Sequence, residues 1–395
     1  MNKNQTWKRK TVSFLSAQTI SLFGSSIVQY AIVWYITLST SSGKMLTIST
    51  LCGFLPQIII SLFAGVWIDR YDRKKLIMIS DSIIALFTLI LAIAFISGYK
   101  DIWLVFVVLA VRSAGTGIQT PSVNAILPQI VPSDKLMRIN GINSTLSSMI
   151  MFISPAISGA ILSLVSLEAT LFIDVITAII GITITSTISI QKIYQKHTST
   201  IQGLREGYLY LKNNTFIRRL IIFQFLTLLL ITPSAFLTPL MVSRTFGSEV
   251  WRLTMSEMTY SFGMISGGLL ISLWGGFKSR TKTILIATTM YGFIMIFMGL
   301  SPIFIIYLIC NTFIGIPSPC YNTSITVTIQ ENVDSTMHGR IFSLMQIATS
   351  CAFPIGMLIY GPLADYFPIQ YLIISSGLCV LLMAIFIQIK KYLKS

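Results

Sequence analysis

The chain is predicted to be an all-α integral membrane protein, with twelve spanning helices arranged as two pseudo-symmetric six-helix bundles. Three observations carry this. Hydrophobic residues make up 54% of the 395 positions and charged residues only 10%, with a mean hydropathy of +0.78. That balance belongs to polytopic membrane proteins and not to soluble domains. Nearly uncharged runs of the roughly 20 residues needed to cross a bilayer core recur twelve times along the chain, and helices are the spanning form whose backbone satisfies itself. Third, glycine, proline and polar positions of the first half reappear in the second.

The segments run over residues 11–38, 46–66, 76–97, 102–121, 142–165, 168–190, 218–242, 254–275, 283–300, 302–326, 341–361 and 369–389. With the first residue placed inside, the inner connections hold 23 of the 28 lysines and arginines. They include Lys8-Arg9-Lys10, Lys135, Arg138, Arg218, Arg219 and Lys390-Lys391. The outer connections hold Lys44, Lys100, Arg244 and Arg252, and Arg112 falls inside a segment. The positive-inside tendency therefore predicts a multi-pass protein of the cell (plasma) membrane with both termini cytoplasmic.

Between segments 2 and 3, Gly65 to Leu76 packs six charges into twelve residues, namely Asp69, Arg70, Asp72, Arg73, Lys74 and Lys75. Flanked by apolar runs, it reads as a tight cytoplasmic turn. Anchoring by positive charge accounts for its lysines and arginines but not for Asp69.

Several function classes drop out. The net charge of +15 is spread over short inner loops, as topology demands, so no nucleic-acid partner is expected. The five cysteines lie in or beside apolar segments without a Cys-x-x-Cys pair, and the two histidines, His197 and His338, lie far apart. No metal site, nucleophile–base set or ATP-binding phosphate loop is visible, so neither an enzyme nor a cofactor is expected. The run from Thr11 to Gly43 is too long for a cleaved signal and reads as a retained first helix.

The halves echo each other. At an offset of 198, Gly117, Pro121 and Asn124 fall on Gly315, Pro319 and Asn322; at 199, Pro155 falls on Pro354. At 207, Trp67, Arg73 and Lys75 fall on Trp274, Arg280 and Lys282. The expected organisation is an N-terminal bundle over 1–190, a cytoplasmic linker over 191–217 and a C-terminal bundle over 218–395. Parallel six-helix repeats are a transporter architecture, with binding near the midplane.

Polar residues within the segments mark candidate sites. Arg112 lies about ten residues into segment 4, near the midplane, where an arginine either lines a substrate or ion path or completes an ion pair. Thr116 and Gln119 continue its face. Comparable stripes hold Gln18, Ser25 and Gln29 in segment 1, Gln224 and Thr227 in segment 7, and Asn311, Ser318 and Asn322 in segment 10. Taken singly, such residues serve helix packing; at equal intervals of three segments they suggest a substrate cavity. Asp81 and Asp174 are the acids within spans. Asp174 is expected either to carry a proton or to act as an outer-end partner, whereas Glu168, Glu257 and Asp365 are expected to be solvated at outer boundaries.

Gly65-x-x-x-Asp69-Arg70-x-x-Arg73-Lys74 resembles the signature between helices 2 and 3 of the major facilitator superfamily, with Asp72 where a glycine is usual. Arg112-x-x-Gly115-x-Gly117 looks like its helix 4 motif. Ser154-Pro155-x-x-Ser158-Gly159 is similar to a weakened antiporter motif of helix 5, represented by Pro155 and Gly159. Gly53-Phe54-Leu55-Pro56, Thr120-Pro121-Ser122-Val123-Asn124-Ala125 and Gly339-Arg340-Ile341-Phe342 are similar to macrolide efflux proteins of Gram-positive bacteria. The resemblance implies export of amphipathic small molecules by proton antiport through a chain working as a monomer in the lipid bilayer. It also implies that Asp69 engages the segment start near Gly339 to Phe342 in the outward-facing state. A siderophore or lysophospholipid cargo, or a non-transporting sensor, are the rival readings.

Overall fold

A computed structural model describes residues 3–189, 200–334 and 337–390. Within these stretches the side chains at 3–6, 65–66, 69, 133, 137, 200–204 and 387–390 lie outside the described set, as do Lys192, Lys196 and His197 of the linker. The described residues form fifteen α-helices and one 3₁₀ turn, with no strand among them.

The chain divides into two compact units, Met1–Ile36 with Leu51–Thr200, and Thr37–Thr50 with Ile201–Ser395. Unit 1 is built from α1 (Lys3–Thr40) up to Ile36, α2 (Gly43–Arg70) from Leu51, α3 (Arg73–Ile96), α4 (Ile102–Ile130), α5 (Leu136–Leu164) and α6 (Leu167–Thr187). Local chemistry sets the helix starts. The Asp72 carboxylate accepts from the Lys74 amide at 3.0 Å to begin α3, Asp101 caps α4 through the Trp103 amide at 3.0 Å, and Ser166 caps α6 through Ala169. Such caps satisfy first-turn N–H groups that have no partner inside the helix.

Helix α3 shows how one sequence serves two solvents. Ile83, Leu86, Ile90 and Ile93 stand exposed on one face, while Ile77, Asp81, Ile84, Thr88 and Leu91 are buried on the other. The buried face packs on α4 and α6, and the exposed one suits hydrocarbon. A cluster of Phe14, Leu15, Ile77, Ile126, Leu127, Ile130 and Ile188 joins α1, α3, α4 and the end of α6. Close backbone approach is permitted by Gly117, where a Cβ would sit 2.9 Å from the Gln57 carbonyl oxygen of α2.

Unit 2 holds α7 (Thr200–Asn213), α8 (Thr215–Phe236), α9 (Thr238–Thr245), α10 (Val250–Trp274), α11 (Arg280–Gly299), α12 (Phe304–Gly315), α13 (Pro317–Asn332), α14 (His338–Leu363) and α15 (Ile369–Lys390). Two segments predicted as continuous are broken here. Segment 7 becomes α8 and α9, and segment 10 becomes α12 and α13. Proline causes both interruptions. Pro317 has no N–H for the Phe313 carbonyl, which instead takes the Ile316 amide at 3.3 Å in a tighter turn, and Pro239 stands in the first turn of α9. The linker also contains α7, anchored by Glu206 to Arg340 at 2.7 Å.

Eleven described stretches are long and apolar enough to cross a membrane. The remaining predicted segment is α10, 25 residues long, whose composition is diluted by Arg252, Thr254, Ser256, Glu257, Thr259 and Ser261. It packs on α12 and α13 through Gly263, Gly267 and Gly315, where any Cβ would collide with opposing backbone. Small residues of this kind let membrane helices approach by van der Waals contact alone.

Candidate transport site

Four helices of unit 1 bring their polar residues together around Arg112. The arginine lies ten residues into α4, about 15 Å from its start, and is 6% exposed; Asp174 of α6 is 1% exposed. The two side chains form a direct ion pair through Arg112 Nη1 and Asp174 Oδ2. Arg112 Nη1 also donates to Thr88 Oγ1 of α3 at 2.9 Å, and Nη2 donates to the Ser25 carbonyl of α1 at 3.1 Å. Ser25 Oγ closes the ring by donating to Asp174 Oδ1 at 2.9 Å.

This network explains how two charges persist in the interior. Desolvating either alone costs several kcal/mol, and attraction offsets that only when the remaining donors and acceptors are also engaged. Thr88 and Ser25 supply those bonds. Thr88 was absent from the sequence-based candidates, although it lies seven residues after Asp81 on the same buried face of α3, a helical spacing that marks it.

One turn further along α4 from Thr116, Gln119 Nε2 donates to Asp81 Oδ1 at 2.6 Å. The predicted stripe therefore divides its work: Arg112 holds Asp174, Gln119 holds Asp81, and Thr116 bonds back to the Arg112 carbonyl at 2.9 Å. On α1, Gln18 is buried with its Nε2 unpartnered among the described residues, and Gln29 is exposed. Pro155 and Gly159 are buried within α5, where Ser158 Oγ donates to the Ile27 carbonyl of α1 at 3.0 Å.

The charged turn is organised by carbonyls. Arg73 donates from Nη1 to the Ala125 carbonyl at 2.8 Å and from Nε to that of Ile68 at 3.3 Å. Lys74 Nζ reaches the Ser186 and Ile188 carbonyls at 2.6 and 2.8 Å, placing a cation at the C-terminal end of α6, where free carbonyls and the helix dipole favour it. Arg70 is exposed. Gly65 lies within α2, and the side chain of Asp69 lies outside the described set.

In unit 2, Gln224 Nε2 donates to Thr349 Oγ1 at 3.3 Å, and Thr227 bonds back to Phe223 within α8. Asn311 Nδ2 donates to the Ser256 carbonyl at 2.6 Å, with Thr259 Oγ1 3.3 Å away, tying α12 to α10. Ser318 is half-buried beside Tyr260 and Tyr291, and Asn322 is exposed.

The three acids expected to be merely solvated at outer boundaries are each corrected. Glu168 pairs with Lys100 at 3.1 Å. Asp365 accepts from the Gly43 and Lys44 amides at 2.6 and 3.0 Å and from Ser42 Oγ at 3.0 Å, capping the start of α2, with Arg244 alongside at 3.3 Å. Burial pushes the Asp365 carboxyl up, but these amides, the hydroxyl and the guanidinium outweigh it and hold it below its ordinary value. Glu257 is half-buried within α10.

Comparison with known proteins agrees with this architecture. A family model described as transmembrane secretion effector matches residues 9–395. Macrolide efflux protein A of Streptococcus pyogenes is 32% identical over 391 residues, covering 98% of this chain and 96% of that protein. The staphyloferrin A transporter of Staphylococcus aureus is 25% identical over 398 residues, covering 97% and 98%. Among solved structures, the nucleoside transporter NupG superposes with a TM-score of 0.72 at 14% identity, covering 97% and 98% of the two chains. A bacterial homologue of the iron transporter ferroportin, in an inward-facing state, gives 0.70 at 13% identity, covering 98% and 99%. At such identities these two show the fold alone. The chain thus has the major facilitator fold, is a multi-pass membrane transporter and not an enzyme, and belongs to the transmembrane secretion effector family.

Proposed function

We propose that this transporter exports amphipathic, macrolide-like compounds from the cytoplasm across the plasma membrane, in exchange for protons, by alternating access of the bundles 1–190 and 218–395. The near full-length similarity to macrolide efflux protein A carries the cargo reading. The buried Arg112–Asp174 pair supports the coupling. A proton arriving at Asp174 converts the carboxylate to a neutral acid and leaves Arg112 without its counter-charge. That is a change in interaction energy large enough to favour a different arrangement of the helices around it. Asp81 of α3, held by Gln119 of α4, is a second acid against the helix that carries Arg112.

In this scheme Gln18, Ser25, Gln29, Thr116, Gln119, Gln224, Thr227, Asn311, Ser318 and Asn322 serve the substrate. Gly65, Asp69, Arg70, Arg73 and Lys74 gate the cytoplasmic side, and Pro155 with Gly159 allows α5 to adjust. The chain works as a monomer with both termini cytoplasmic. The staphyloferrin A transporter favours a siderophore cargo as the second reading. Purified protein in liposomes, supplied in turn with a radiolabelled macrolide and with staphyloferrin A as the siderophore under an imposed pH gradient, separates the two. Gradient-driven macrolide flux supports the proposal, and flux of the siderophore alone overturns it.

A further inference from the structure

Unit 2 carries an acid inside a predicted spanning segment, away from its ends, that the coupling scheme does not use. Glu257 is the eighth residue of α10, about 10 Å below its start. Its side chain does not face lipid. The bilayer face of α10 is marked by the exposed Met255, Phe262, Leu269 and Leu273, which recur at helical spacing. Glu257 lies about 200° round from Met255, on the stripe of Leu253, Tyr260 and Met264. Leu253 is buried and the other two are half-buried.

No cation of the protein neutralises it among the described residues. Arg252, five residues earlier in α10, pairs instead with Glu249 at 3.0 Å and lies over the Trp251 ring, 5.2 Å from its centroid. Arg244 is committed to Asp365, Arg280 to Glu331 and Arg340 to Glu206. The hydroxyls nearby are also engaged: Ser256 Oγ with Tyr307 at 2.9 Å, and Thr259 with Asn311. Tyr260 follows Glu257 by three residues on the same stripe of α10, and Tyr260 and Tyr291 lie beside Ser318.

A half-buried acid with no protein cation, on a helix face turned away from lipid and shared with Tyr260, is the arrangement that a protonated amine on an apolar body fits. The carboxylate supplies the counter-charge that the protein's own cations do not. By contrast, Asp174 already has its arginine. We propose that Glu257, with Tyr260 and Ser318, recognises the protonated amine of an amphipathic substrate, and so selects cationic over uncharged compounds. This rests on the efflux reading for its direction of transport but not for its binding chemistry.

The test measures binding to purified protein in nanodiscs. The probes are a macrolide bearing a tertiary amine, the same macrolide with that amine acylated and uncharged, and tetraphenylphosphonium. Wild type is expected to bind the amine form and tetraphenylphosphonium more tightly than the acylated form. Glu257→Gln should weaken both cations about ten-fold, the scale of one lost charge-assisted contact, and leave the acylated form unchanged. Glu257→Asp, which keeps the charge, should retain the preference, and a thermal melt checks that each variant is folded. Equal loss for charged and uncharged probes, or no loss for the cations, overturns the assignment. If wild type binds neither macrolide, the cargo reading fails, and the tetraphenylphosphonium arm still decides the role of Glu257.

Discussion

Arg112 Nη1 is bonded directly to Asp174 Oδ2, and the pair is closed by Ser25 from α1 and Thr88 from α3. The four groups come from four helices, so the ion pair is also the point where unit 1 is tied together. Removing either charge leaves the other buried and alone, at a cost of about 3–5 kcal/mol. Arg112→Met and Asp174→Leu are each expected to lower the melting temperature of the purified protein. Combined, they should recover much of that loss, since an apolar pair of similar volume is tolerated. Proton-linked transport should stay absent in the double variant. A double variant as unstable as the singles would contradict the pairing energetics.

Ser25 and Thr88 are expected to matter less individually. Thr88→Val removes an acceptor for the guanidinium while keeping shape, and should cost about 1–2 kcal/mol. Thermal unfolding of Thr88→Val in the wild-type and Asp174→Leu backgrounds checks this. The effects should be non-additive, because both act on one network, and strict additivity would argue that Thr88 acts elsewhere.

Much of this site was legible in the sequence because a charge in an apolar segment is conspicuous. Arg112 and Asp174 stand out against their neighbours, and a 3.6-residue period puts Gln119 on the face of Arg112. The pairings were not legible. Whether Gln119 meets Asp81 or solvent depends on the rotation of α3 against α4, which no single-helix pattern encodes. Apolarity located the spans, but it missed the breaks at Leu237 and Ile316. Those follow from the missing N–H groups of Pro239 and Pro317, a local effect inside runs that remain hydrophobic. Glu257 was misread for a related reason: its distance from the segment end suggested an outer boundary, whereas α10 starts at Val250.

The Asp365 cap on α2 gives a pH dependence of definite sign. Its carboxyl is held below its ordinary value when folded. It therefore stabilises the junction above the unfolded carboxyl value of about 3.9, and this contribution is lost as pH falls through the folded value. Hydrogen-exchange protection of the Gly43 and Lys44 amides should be high at neutral pH and fall under strong acid. In Asp365→Asn it should already be reduced at neutral pH. Equal protection in the variant would show that the amides are held by something else.

The crossing of α10 with α12 should tolerate no side chain at Gly267. A Cβ there would collide with the Ile316 backbone, which cannot yield as a flexible side chain does. Gly267→Leu is expected to cost more than the 1–3 kcal/mol typical of overpacking and to reduce the yield of inserted, monodisperse protein. Size-exclusion chromatography checks this, with Gly268→Leu, at an open position, as the control that should behave like wild type.

Lys74 should act as a fastener at the end of α6. Lys74→Met removes its bonds to the Ser186 and Ile188 carbonyls and is expected to cost about 0.5–1 kcal/mol, read by thermal melting. Lys75→Met supplies the comparison and should change little.

The central claim is that protonation at the Arg112–Asp174 pair drives export. Protein reconstituted into liposomes with a pH-sensitive dye enclosed measures it directly, by following proton movement when a macrolide is added. Wild type should move protons opposite to the drug, and folded Asp174→Asn should move none while still binding the drug. Drug-dependent proton movement of equal size in Asp174→Asn would contradict the account.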